Sequence, residues 1–182
     1  MKEVSDAFLL QMAEVSAGLI GLFLVGIFFY VETGFRRLGA GRDVFEDYFQ
    51  ASTRIVMLLF AIPLILSLTL VVLEDGWSRV IFLLLCVALV AANIDTANQV
   101  RDVKKATGSQ TLFINEIVGT VGVVILVVVP WLLGGLDPTR EDLTWAILVS
   151  FATAFISVLA LVLSVLEVAK AERLAKGTAS AD

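Results

Sequence analysis

Apolar residues run almost unbroken through five stretches of the chain: about Ala7 to Val31, Ile55 to Leu73, Val80 to Gln99, Leu112 to Leu133 and Leu143 to Val168. Each approaches or exceeds the ~20 residues a helix needs to cross a hydrocarbon core about 30 Å thick. In hydrocarbon every backbone amide and carbonyl must find a partner within the protein, so such stretches predict helices. The expected fold is all-α, a polytopic bundle of five transmembrane helices. With 182 residues there is no room for a separate soluble domain. Residues 1–176 are expected to form a single transmembrane domain, and the small, polar segment 177–182 a disordered tail.

Basic residues between the stretches set the direction. Arg36, Arg37, Arg42 and Arg54 flank the first connection, Arg101, Lys104 and Lys105 occupy the third, and Lys170, Arg173 and Lys176 follow the last span. The second connection has only Arg79 and the fourth only Arg140. The positive-inside rule then predicts an external amino terminus and a cytoplasmic carboxyl terminus. The expected location is a plasma membrane. Trp77, Trp131 and Trp145 fall near the predicted outer boundary, as an aromatic belt would place them. Between the first two spans, Val44, Phe45, Tyr48 and Phe49 recur among Asp43, Glu46 and Asp47. That spacing predicts an interfacial amphipathic helix or an extension of the second span.

Composition narrows the chemistry. Hydrophobic residues make up 59% of the chain, well above the share in a soluble domain. Histidine is absent, which excludes His-ligated haem, His–metal sites and His-based acid–base catalysis. The single cysteine, Cys86, lies in an apolar run and reads as a small packing residue; it permits no intrachain disulfide and no cysteine zinc site. All five lysines lie outside the spans, which disfavours an intramembrane Schiff base. The net charge is −5, acids gather around Glu74 and Asp75 and from Asp137 to Asp142, and nothing is basic enough for nucleic acid. Neither an Arg-rich voltage-sensing helix nor a TVGYG filter is present. Ser150, Ser157 and Ser164 have no neighbouring base, so no catalytic residue is assigned and an enzyme is not expected. No metal or cofactor is implied.

Small residues mark where helices approach one another. Ala13, Ala17 and Gly21 stand at four-residue intervals in the first span, with Gly18 beside them. Ser150, Thr153, Ser157, Ala160 and Ser164 alternate three and four apart in the fifth, and Asn115, Gly119 and Gly122 share a face of the fourth. In lipid such stripes let backbones pack closely. They read as contacts within one protomer, or as an oligomer interface or pore wall. Pro63 should kink the second helix by freeing a carbonyl about one turn earlier.

Two polar anomalies interrupt the apolar runs. Glu14 lies about two turns into the first span and shares a helical face with Gly18, Gly21 and Val25. A carboxylate at that depth costs a few kcal/mol unless it is protonated, paired or hydrated. It reads as an acid lining an oligomeric pore or binding a proton or cation, or as a carboxyl bonded to a neighbouring helix. The second anomaly is the end of the third span, where Asn93, Asp95, Thr96, Asn98 and Gln99 follow the apolar run from Val80 to Ala92. The fourth span re-enters with Asn115 and Glu116, then Thr120. Antiparallel pairing would bring Asp95, Glu116 and the amides together near the cytoplasmic side, as oxygen ligands for a cation or the lining of a hydrated vestibule. Alternatively, the third helix leaves the bilayer at about Asn93 and these groups are in water. The expected function is a small homo-oligomeric channel or ion-permeable protein passing an inorganic cation or a proton. The competing expectation is a non-conducting scaffold or regulatory subunit of a larger membrane complex.

Overall fold

The computed structural model describes residues 4–34, 42–107 and 110–179, with side chains described over 4–29, 49–98 (except 75) and 119–163, and at 32 and 117. Five helices follow in order: α1 (Asp6–Gly34), α2 (Arg42–Val72), α3 (Asp75–Thr107), α4 (Gln110–Gly134) and α5 (Arg140–Ala179). No strand occurs among the described residues. Four spans within these helices, Asp6–Phe29, Phe49–Val72, Gly76–Asn98 and Arg140–Leu163, are long and apolar enough to cross a membrane, and Gly119–Gly134 is a shorter apolar helix. The protein is an all-helical membrane bundle.

The helices outrun the apolar stretches because polar residues continue them. α2 begins well before Ile55 and takes in the segment with Val44, Phe45, Tyr48 and Phe49, so that segment is part of the second helix, ahead of an apolar span that starts at Phe49. α5 reaches Ala179, three residues into the segment expected to be disordered, while 180–182 lie outside the described residues.

Local chemistry fixes the helix ends. The Phe8 amide donates to Ser5 Oγ (3.3 Å), an N-cap at the start of α1. Before α5 the Thr139 amide and hydroxyl both donate to Asp142 Oδ2 (2.8 Å each), the reciprocal half of a capping box. α4 stops at Gly134, and Gly135 follows with φ +64°, a left-handed conformation that side chains beyond glycine resist. These features make the α4–α5 connection a tight turn.

Successive helices alternate in direction. α2, α3, α4 and α5 close a four-helix ring through the pairs α2–α3, α3–α4, α4–α5 and α5–α2, and α1 flanks the ring, packed mainly on α2. Side chains from all four ring helices fill its centre, among them Leu59, Phe82, Leu89, Leu126 and Ile147, each fully buried. Cys86 is buried in this core. Lipid tails are as apolar as these side chains, so close packing rather than exclusion of water holds the ring together.

Ion pairs close the end of the bundle that carries the start of α1. Arg140 pairs with Asp6, joining α5 to α1, and Arg79 pairs with Asp137, joining α3 to the α4–α5 turn. Arg79 Nε also donates to the Pro138 carbonyl (3.0 Å), and Ser78 Oγ donates to the Thr69 carbonyl (3.2 Å). Trp77 and Trp145 lie exposed at this end, with Trp131 half-buried nearby.

Candidate functional site

Pro63 organises the polar contacts at the centre of the bundle. Its ring nitrogen carries no hydrogen, so the carbonyl four residues earlier, on Leu59, loses its helical partner. The Ser150 hydroxyl on α5 donates to that carbonyl at 2.6 Å, and both residues are fully buried. From α1, the buried Ser16 hydroxyl donates to the next carbonyl, on Phe60. Two hydroxyls from two helices thus dock on adjacent carbonyls at one level of α2. In hydrocarbon a backbone acceptor without a donor is costly, so the Leu59 carbonyl specifies how α5 seats on α2, and the Ser16 bond to Phe60 adds a second link, from α1.

Ser16 also fixes the orientation of α1. Leu9, Ala13 and Ser16 are buried towards α2. At 100° per residue, Glu14 lies about 200° from Ser16, on the side of the helix away from α2. Glu14, Ala17, Gly18 and Gly21 are all exposed there, with Val25 half exposed. A Cβ added at Gly18 or Gly21 would meet nothing within 4 Å. Of the small residues of α1, Ala13 and Ser16 are therefore buried within the protomer, while Ala17, Gly18 and Gly21 are exposed. Glu14 lies eight residues beyond Asp6, about 12 Å along the helix axis. Among the described residues it has no hydrogen bond or ion pair.

The polar end of α3 divides between two helices. Asn93 is buried, and its Oδ1 accepts from Thr120 Oγ1 of α4 at 3.2 Å. Asp95 lies about 200° further round α3 and pairs at 3.6 Å with Arg54 of α2, both side chains more than half exposed. Thr96 is buried and bonds the Ala92 carbonyl of its own helix (3.0 Å), while Asn98 is exposed. Asn93 and Asp95 thus serve different seams and do not converge. The side chains of Asn115 and Glu116 lie outside the described residues. Among the described residues no group of three His, Cys, Asp or Glu side chains could hold a metal ion.

Along α5, Ser150 and Thr153 are buried and Ser157 is half-buried; the Ser164 side chain lies outside the described residues. Thr153 packs against Gly122 of α4, where an added Cβ would lie 2.6 Å from its Oγ1 and Cγ2. Both belong to the small-residue stripes. Among the contacts that sequence reasoning missed are the Ser16 bond, the Arg54–Asp95 pair and the Asp6–Arg140 pair. A serine amid apolar residues upstream of a proline-bearing span was the signal available for Ser16. Pairing between ends far apart in the chain left no signal.

No family model matches the chain, and neither a characterised protein nor a solved structure shows significant similarity to it.

Proposed function

We propose that the chain is one protomer of a small homo-oligomeric, ion-permeable membrane protein, with the ion path between protomers and Glu14 as its selectivity or gating acid. One observation carries this reading: the single carboxyl within the apolar part of α1 points away from the protomer, beside Gly18 and Gly21. A carboxylate facing lipid costs a few kcal/mol, a penalty relieved when further copies enclose it with water or a cation. The packed, apolar ring supports a path outside the protomer rather than through it. Small residues beside Glu14 would let the α1 helices of neighbouring protomers approach closely.

In this reading α4 crosses as a fifth span, the amino terminus is external and the carboxyl terminus cytoplasmic, in a plasma membrane. Asp95 and Asn98, with Asn115 and Glu116, then border the inner mouth. The permeant species is an inorganic cation or a proton, and neither catalysis nor a cofactor is involved. A second reading is a non-conducting scaffold or regulatory subunit whose outward α1 face docks on a different membrane protein. It draws on the same lateral position of α1.

Ion flux into liposomes containing the purified protein, beside Glu14→Gln and across several pH values, separates the two. The channel reading expects flux whose selectivity or pH dependence changes in the variant while assembly is kept. Unchanged flux in the variant removes Glu14 from the mechanism. Absence of flux from folded protein, together with a stoichiometric co-purifying partner, establishes the scaffold reading.

A further inference from the structure

Two polar side chains break the apolar outer surface of the bundle. Over 55–72, 80–92, 119–134 and 143–163, every exposed side chain of α2 to α5 is aliphatic or aromatic. On α1, Gln11 and Glu14 are both exposed, three residues apart. Ser16 sets their depth. Its hydroxyl meets the carbonyl of Phe60, which stands at the middle of the 24-residue apolar span Phe49–Val72. At 1.5 Å per residue, Glu14 lies about 3 Å and Gln11 about 7.5 Å from that level along α1. Lipid tails at such depth offer a carboxyl and a carboxamide no partner, so lipid is not what covers this face.

The spacing of the face identifies its cover as further copies of α1. Gln11, Glu14, Gly18, Gly21, Val25 and Phe28 are all exposed and alternate three and four residues apart, the seam of a left-handed coiled coil. Copies inserted the same way in one membrane present parallel α1 helices, and Gly18 and Gly21 admit close approach. Such a seam stacks a layer of Gln11 about 4.5 Å from a layer of Glu14, nearer the start of α1. We propose, on the homo-oligomer reading above, that these two layers together bind a metal cation between protomers, so that the permeant species is a metal ion rather than a proton. A proton needs the carboxyl alone. Gln11 adds a neutral oxygen donor, which serves a hard cation. Metal–oxygen bonds of about 2.3–2.6 Å, as for calcium, let one ion between the layers reach both. No Lys or Arg lies anywhere on α1 to favour an anion. One chain offers one carboxyl and one carboxamide, so the site is incomplete without its neighbours.

The test measures thermal unfolding of the purified full-length protein in sodium, potassium, magnesium or calcium chloride, against choline chloride at equal ionic strength. At least one metal chloride should stabilise the wild type saturably beyond choline. Gln11→Leu should raise the half-saturating concentration at least tenfold, Gln11→Glu should restore or tighten binding, and Glu14→Gln should abolish the effect. No metal stabilisation of the wild type overturns the proposal, and so does a Gln11→Leu protein that titrates like it. The seam is read separately by oxidative cross-linking in vesicles, Cys86 being buried. Gly18→Cys should link copies, and Val15→Cys, exposed but about 100° round the helix from Glu14, should not. Absence of the Gly18→Cys link removes the α1 seam and the homo-oligomer reading with it. A seam that forms, with Glu14-dependent proton flux and no metal stabilisation, removes only the cation site.

Discussion

Ser150 donates its hydroxyl to the Leu59 carbonyl at 2.6 Å, and that carbonyl is the one Pro63 deprives of an amide. The helix defect and its repair come from residues 87 positions apart (150 − 63) in different helices. Ser150→Ala should lower unfolding stability in detergent by about 1–2 kcal/mol, because it leaves a buried acceptor bare. In a Pro63→Ala background the alanine amide can reach Leu59, so the same substitution should cost much less. Equal costs in both backgrounds would show that Ser150 acts through packing alone. Ser16→Ala should cost less than Ser150→Ala in wild type, since the Phe60 carbonyl retains the Leu64 amide one turn on.

Gly122 and Gly119 lie on one face of α4 but should respond in opposite ways. Gly122→Ala drives a methyl group into Thr153 and should destabilise by about 1–3 kcal/mol. Gly119→Ala enters open space and should be neutral or stabilising by up to about 1 kcal/mol through helix propensity. Thr153→Ala should recover part of the Gly122→Ala loss. Thermal unfolding of the four variants reads all three effects.

Ion pairs at the α1-bearing end are partly exposed, so each should contribute little. Breaking Asp6–Arg140 with Arg140→Gln should cost about 0.2–1 kcal/mol at low salt and less at high salt. Arg79→Gln should cost more, because it also removes the bond to the Pro138 carbonyl. Denaturation at two ionic strengths checks both the ranking and the screening.

Asn93 and Asp95, two residues apart, should behave independently. Asn93→Ala and Thr120→Val should couple by about 0.6 kcal/mol in a double-mutant cycle, as interhelical hydrogen bonds in membranes do on average. Asp95→Asn should couple with Arg54→Gln and not with Thr120→Val. Coupling between Asp95 and Thr120 would contradict the division of the α3 end between two seams.

Much of the fold was legible in the chain because hydrocarbon imposes length and apolarity on every span, and both are local properties. The five helices, the defect at Pro63 and the shared face of Glu14, Gly18 and Gly21 follow from composition and the 3.6-residue period. That period says which residues lie together on a helix, but not which way the helix turns. Only the tertiary structure decided that Ser16 and Ala13 face α2, which sends Glu14 outward and leaves Ala17, Gly18 and Gly21 exposed. It likewise decided that Asn93 meets Thr120 while Asp95 meets Arg54. Lipid and protein interior are equally apolar, so hydrophobic pattern alone cannot rank the faces of a membrane helix. Hydrogen bonds to backbone carbonyls of α2, close approach at Gly122 and the edge-on ring contacts around Phe60 set the rotation of the helices, and all three require partners distant in sequence.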